Sequence, residues 1–351
     1  MNLTKRLSIA LSAYLMFFGP PQHADADNLT PPTLVIMDTA LDTTIPEVKA
    51  SLVHEVCLLE WSACPNGREF MEGPGSSTLP KEFLQAHGFN HGTQMVSAAI
   101  RTYPKVKILF MRIIANSSSG VRLITTERTV YQALEWVIAN KTTYNIVAIG
   151  LSQSHHRLLK LKQYCPNSTR TNTAIKNLYS LEIPLFVASG NDNDKNRVSW
   201  PACVPEAMAI SAISNGTISR YSNFDKELSD FAAIGELTTT NVGGKPINSS
   251  GTSIAAQVMA ALWTQARAEI TNSSFLETLQ LFRDISRKIS VDNGQLLWLE
   301  SGPLNEAIIQ IAIKKGELDP ESLGRDLVCK EDMLLTGVYR FTKGDSIYCV
   351  I

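Results

Sequence analysis

Three side chains in this sequence have the types needed for nucleophilic catalysis, and they occur in the order Asp38, His91, Ser253. A serine hydroxyl is a weak nucleophile until a neighbouring base takes its proton. Histidine can be that base, and a carboxylate on its other ring nitrogen fixes the tautomer and stabilises the imidazolium. Each residue alone has a plainer explanation. Asp38 follows the apolar run Val35-Ile36-Met37, where aspartate commonly caps a turn or a helix. His91 lies just ahead of the apolar helical stretch Met95–Ile100, and Ser253 directly precedes Ile254-Ala255-Ala256, the ordinary place of an N-cap. Taken together, each beside its own short motif, they match one of the known chain orders of an Asp-His-Ser triad.

Such groups need rigid elements to hold them. Thr33–Met37, Val106–Ile114, Ile146–Leu151 and Leu185–Ala188 are short continuous apolar runs bounded by polar or turn residues, the pattern of strands covered on both faces. Helical periodicity over Glu127–Ala139 and Thr173–Leu181 alternates with them, which predicts an α/β fold with a mainly parallel sheet flanked by helices. Ligand and catalytic groups gather at the carboxyl ends of such strands. Asp38 and the Ser189-Gly190-Asn191 turn both lie at those ends. Further helices are expected over Ile254–Ala268, Phe275–Ile289 and Leu304–Lys315, with Gly316 as the stop of the last. Leu335–Phe341 and Ser346–Ile351 flank Thr342-Lys343-Gly344-Asp345, a hairpin signal, so residues 317–351 read as a small appendage to a domain over 27–316.

Composition sets the class. Of 351 residues, 44% are hydrophobic, an ordinary share for a folded protein with a sizeable core. A formal charge of −1 gives no reason to expect nucleic acid or an anionic membrane as partner. At the N-terminus Lys5 and Arg6 precede the apolar run Leu7–Phe18, then Gly19-Pro20-Pro21 and the small-x-small Ala24-Asp25-Ala26. That is the form of a secretory signal peptide over residues 1–26, and the run is short for a bilayer span, so no stable membrane insertion is expected after its removal. In a secreted chain six cysteines read as disulfides. Six cysteines allow 15 pairings; sequence proximity favours Cys57–Cys64 and Cys329–Cys349, which leaves Cys165–Cys203. There is no C-x-x-C pair with histidine at ligand spacing, so zinc is not expected.

The motifs together resemble the subtilisin-like serine proteases, the subtilases. The matching stretches are VIMDTALD around Asp38, NHGTQMVSAA around His91, PLFVASGNDN around Asn191 and SSGTSIAA around Ser253, and the likeness covers roughly residues 33–270. The resemblance implies that Ser253 is the nucleophile, His91 the base, Asp38 its orienting carboxylate and Asn191 a side-chain donor in the oxyanion hole. It also implies that Gly150-Leu151-Ser152 and Ala188-Ser189-Gly190 are two walls of the substrate pocket, and that the first pairs with an extended peptide or protein substrate as an added strand.

The sequence departs from the family's pattern at several places. Gln94 follows His91-Gly92-Thr93 where a second histidine is usual, Ala40 replaces a glycine, Ser152-Gln153 replaces a Gly-Gly pair, and Gln257 replaces a proline. None removes a reacting group. No cofactor is required by this chemistry. A structural calcium ion, which the family often binds after the histidine helix, has no supporting motif. About a dozen residues separate the cleavage site from Asp38, so residues 27–351 are expected to fold without a prodomain. The competing class is a catalytically silent binding module on the same fold, whose usual signature is a lost triad residue; all four positions are filled here. A secreted esterase is disfavoured, since Gly251-Thr252-Ser253-Ile254-Ala255 is not the G-x-S-x-G elbow. Substrate specificity and oligomeric state are not fixed by these residues.

Overall fold

The computed structural model describes residues 30–318 except 62, 86–87, 117–124, 155–164, 166–168, 271 and 292–293, together with the backbone of two strands near the end of the chain. The signal-peptide residues, Cys329 and the side chain of Cys349 lie outside this description.

The first half runs β1 (Thr33–Asp38), α1 (Pro46–Ser51), β2 (Leu52–Leu58), β3 (Phe70–Glu72), α2 (Lys81–Gln85), α3 (His91–Thr102), β4 (Lys107–Arg112), α4 (Glu127–Asn140), β5 (Ile146–Leu151), α5 (Arg170–Ser180) and β6 (Leu185–Ala188). The second half runs β7 (Met208–Ser214), β8 (Thr217–Ile218), β9 (Ser229–Ile234), β10 (Glu236–Thr240), β11 (Pro246–Ser250), α6 (Thr252–Glu269), α7 (Phe275–Ile285), β12 (Arg287–Val291), β13 (Gly294–Trp298), α8 (Ser301–Lys315), β14 (Tyr339–Lys343) and β15 (Ser346–Val350).

The large sheet has the order β12-β13-β9-β7-β6-β5-β1-β4-β2-β3, with β8 added to β7. Its centre is parallel: β1 pairs with β4 and β5, β5 with β6, and β6 with β7. Antiparallel strands close both ends, β3 on β2 and β12 on β13. All six residues of β1 are buried because helices cover both faces. Leu34 and Ile36 join the core beneath α3 and α6, while Val35 and Met37 join the core beneath α4 and α5. Period-2 alternation thus divides one apolar strand between two cores. Helix α6 is apolar nearly all round and buried from Thr252 through Ala266, as a central helix must be.

Caps set several of the helix boundaries. Thr126 and Thr169 each accept the backbone N–H three residues on, so α5 begins at Arg170 rather than Thr173. Ser274 and Glu277 form a reciprocal capping box on α7, and Gly316 ends α8 at φ 74°. The expected helix over Phe275–Ile289 is too long. It ends at Ile285, and Arg287–Val291 forms β12, paired with β13 by Ile289↔Leu296. The apolar spacing of Leu281, Ile285 and Ile289 continues the helical pattern, but strand pairing with Leu296 and Trp298 overrides it. The expected hairpin near the C-terminus forms as β14 and β15, with Lys343 opposite Ser346.

Candidate active site

The carboxyl end of β1 delivers Asp38, fully buried, and the first turn of α3 delivers His91. Asp38 Oδ1 lies 2.7 Å from His91 Nδ1 and accepts the Thr39 N–H at 2.7 Å. The Thr39 hydroxyl donates to the Phe89 carbonyl and accepts the Gly92 N–H, both at 2.9 Å. Thr93 ties the same helix turn to the loop after β1 by accepting the Asp42 N–H at 3.0 Å. Residues next to the aspartate and the histidine therefore lock the two elements together. The His91 side chain remains a quarter exposed.

Ser253 is the second residue of α6, after the N-cap Gly251, whose φ is 144° and which supplies no side-chain cap. The first N–H groups of a helix lack the usual acceptor four residues back. Here Asn191 takes the Thr252 N–H and the Gly251 carbonyl takes the Ile254 N–H, so the Ser253 N–H and the positive end of the helix dipole lie beside the hydroxyl. The Gly251 N–H is shared between the Gly235 carbonyl at 2.9 Å and the Tyr221 hydroxyl at 3.1 Å, which itself donates to the same carbonyl. Burial raises the Tyr221 pKa, keeping that hydroxyl neutral and able to donate.

Asn191 follows β6 on an exposed turn. Its Oδ1 accepts the Thr252 N–H at 2.9 Å and the Thr252 hydroxyl at 3.0 Å. Two donors on one oxygen fix the orientation of the amide, with Nδ2 close to Gly251. Thr252 Oγ1 also accepts the Gly190 N–H at 3.2 Å. Gly190 has φ 114°, and a Cβ there would stand 2.2 Å from Asn223 Nδ2; only glycine fits. Asn223 is the hub of this turn, accepting the Asp192 and Asp194 N–H groups and donating to the Ser189 carbonyl.

Of the pocket residues expected from sequence, Gly150 and Leu151 end β5, Ala188 ends β6, and Ser152, Ser189 and Gly190 follow directly, all next to α6. The Ser253 hydroxyl donates to the Ser152 carbonyl at 3.2 Å; among the described residues it makes no hydrogen bond to His91. Gln94 is bound to Ser249 at 2.9 Å, joining α3 to the β10–β11 hairpin. Over that hairpin a cavity of about 430 Å³ is lined by Glu236, Leu237, Thr238, Asn248, Ser249 and Ser250.

Thr39, Tyr221, Thr252 and Asn223 have no role assigned from sequence. Thr39 and Thr252 adjoin motif residues, and that adjacency is the available signal. Cys57 is bonded to Cys64 and Cys165 to Cys203, with S–S distances of 2.04 and 2.06 Å. Among the described residues no group of three His, Cys, Asp or Glu side chains could hold a metal ion. The turn from α3 to β4 is Tyr103-Pro104-Lys105-Val106, which offers no carboxylate to calcium.

The comparisons with known proteins agree with this architecture. A cuticle-degrading serine protease of Arthrobotrys oligospora is 27% identical over 207 residues, 55% of this chain and 46% of its own length. An intracellular serine protease of Paenibacillus polymyxa is 23% identical over 257 residues, covering 69% of this chain and 68% of that one. The chain thus spans less than half the length of the fungal relative. A cold-adapted subtilisin-like serine proteinase of known structure is matched over 78% of this chain and 90% of its own, with a TM-score of 0.59 at 18% identity. A mutant of the protease domain of PatA is matched over 82% of this chain and 97% of its own, with a TM-score of 0.60 at 15% identity. Those two likenesses are of fold. The subtilase family profile matches residues 32–285, most of the chain, and the protein belongs to that family.

Proposed function

We propose that this chain is a serine endopeptidase in which Ser253 attacks the peptide carbonyl, His91 moves the proton and Asp38 orients His91. The observation that carries the reading is the 2.7 Å Asp38–His91 bond from a fully buried carboxylate, made at the carboxyl end of a strand in the same sheet against which the start of α6 packs. In the reaction the Ser253 hydroxyl leaves the Ser152 carbonyl and gives its proton to His91 Nε2 as Oγ bonds to the carbonyl carbon. The negative oxygen that forms is met by the Ser253 N–H and by Asn191 Nδ2, held in place beforehand by Thr252. His91 then protonates the departing amine, and water hydrolyses the acyl-enzyme by the same steps in reverse.

An extended substrate strand lies along Gly150-Leu151-Ser152, with Ala188-Ser189-Gly190 as the opposite wall of the pocket. We further propose that residues 1–26 direct export and are removed, that 27–316 form the peptidase domain and that 317–351 are an appendage. Lys5-Arg6, the apolar run and Ala24-Asp25-Ala26 support export, as do the two disulfides. No helix among the described residues is long and apolar enough to cross a membrane.

One observation favours a second reading, a silent binding module: the Ser253 hydroxyl rests on Ser152 and not on His91. Hydrolysis of an extended chromogenic peptide by the purified chain decides between them. Turnover that Ser253→Ala removes supports the peptidase. No turnover with any peptide library, in protein that melts cooperatively, rejects it.

A further inference from the structure

Behind the nucleophile the molecule carries a buried polar arrangement of which the reaction steps above use only the bond between the Ser253 hydroxyl and the Ser152 carbonyl. Gln257 lies one helical turn after Ser253 on α6 and is fully buried. Its Nε2 donates to Ser152 Oγ at 2.8 Å, and Ser152 Oγ donates to the Ser253 carbonyl at 3.3 Å. The Ser152 carbonyl in turn accepts the Ser253 hydroxyl at 3.2 Å. Among the described residues Gln257 Oε1 has no hydrogen-bond partner, so the bond to Ser152 is what orients the amide. The fit is close: a Cβ on Gly150 would stand 2.2 Å from that oxygen, and only glycine at this strand end leaves the amide room.

Two features make this more than packing. Ser152 lies one residue past the last position of β5 that pairs on both sides, Leu151 with Met37 and with Val187. Its carbonyl is therefore outside the sheet ladder, and in the proposed reading it belongs to the wall along which a substrate strand donates N–H groups. The hydroxyl bond to that carbonyl is also long for O–H···O, where about 2.7–2.8 Å is usual, so a better-aligned N–H displaces it.

We propose that Gln257 is a positioning residue that, through Ser152, keeps the Ser253 hydroxyl on the Ser152 carbonyl until a substrate strand takes that carbonyl. The inference rests on the peptidase reading. It adds that the nucleophile is restrained against small electrophiles and is released by substrates long enough to pair with Ser152.

The test compares two rates in wild type, Gln257→Met, Ser152→Ala and the double variant. One is labelling by a small organofluorophosphonate, which cannot pair with the wall. The other is kcat/KM for an extended tetrapeptide anilide. Gln257→Met removes the donor at similar length, and Ser152→Ala removes its acceptor while keeping the backbone, so one variant remains if the other fails to fold. Loss of one modest hydrogen bond predicts that the ratio of labelling to peptide hydrolysis rises roughly two- to tenfold in each single variant. The double variant should rise no further, because both changes break the same chain of bonds. A merely structural role lowers both rates together and leaves the ratio where it was; that result overturns the proposal while leaving the peptidase reading intact. Wild type that neither labels nor hydrolyses overturns the peptidase reading and this inference with it.

Discussion

The two halves of the site are assembled in different ways. On one side, Asp38 and His91 meet at 2.7 Å, and the bonds that lock them come from the motif neighbours Thr39, Gly92 and Thr93. On the other, Ser253 and Asn191 are held by contacts between residues 61 to 105 positions apart: Asn191 with Thr252, Ser152 with Ser253, and Ser152 with Gln257. Both halves are joined by tertiary contacts. Those of the first bridge 50 to 53 positions and come from residues adjoining the two motifs, while those of the second bridge 61 to 105. It is in the second half that Ser152 and Gln257 depart from the family's pattern. Substitution of Asp38 should therefore come close to removing activity, and substitutions at Asn191 and Thr252, which shape the surroundings of Ser253, should grade it.

The largest effect is expected at Asp38. Asp38→Asn leaves His91 in the wrong tautomer and should lower kcat by about 10⁴. Steady-state kinetics that lose only tenfold would mean that the 2.7 Å bond is structural. In the second half, Asn191→Ala should lower kcat by about 10²–10³, the effect of the equivalent donor in subtilisin, with KM little changed. A loss confined to KM would make Asn191 a substrate contact. Thr252→Val keeps the Thr252 N–H on Asn191 but removes the hydroxyl that bridges Gly190 and Asn191. Its kcat should fall by only about three- to tenfold, the value of one hydrogen bond. A loss as large as that of Asn191→Ala would show that the hydroxyl alone aims the amide.

The smallest effect lies outside both halves. Asp230, on β9, is pushed up to about 7 by burial, against the Ala209 N–H and the Arg283 charge, which pull it down. The folded state then keeps a proton that the unfolded state, at an ordinary 3.8, releases. Stability from this group falls as pH rises from about 4 to about 7. Asp230→Asn should remove that slope, so its melting temperature relative to wild type should be a few °C higher at pH 8 than at pH 4.5. An equal difference at both pH values would mean that Asp230 is ionised in the fold.

How much of this is legible in sequence follows the same division. Runs such as Ile146–Leu151 and Leu185–Ala188 match strands residue for residue, because a strand buried on both faces is apolar throughout. Strand β2 escapes a sequence reading because it opens with Leu52-Val53-His54-Glu55, a polar-interrupted stretch, and the helical pattern of α7 runs on over what is β12. The β10–β11 hairpin escapes because Glu236–Thr240 is largely polar and gives no apolar alternation. Within the site, the motif residues are legible because each sits at a strand end or a helix start. The bonds of Thr252 to Asn191 and of Gln257 to Ser152 are not, since no local pattern encodes a meeting across 61 or 105 residues. Gln257 is visible only as a departure; its partner needs the fold.

The most direct test of the central claim is covalent. The chain is treated with an organofluorophosphonate under oxidising conditions, digested and mapped by mass spectrometry, in parallel with His91→Ala and Ser253→Ala. Ser253 as nucleophile with His91 as its base predicts one modified residue, Ser253, and labelling that nearly vanishes in both variants. A label on another serine, or labelling of Ser253 that persists unchanged in His91→Ala, would contradict it.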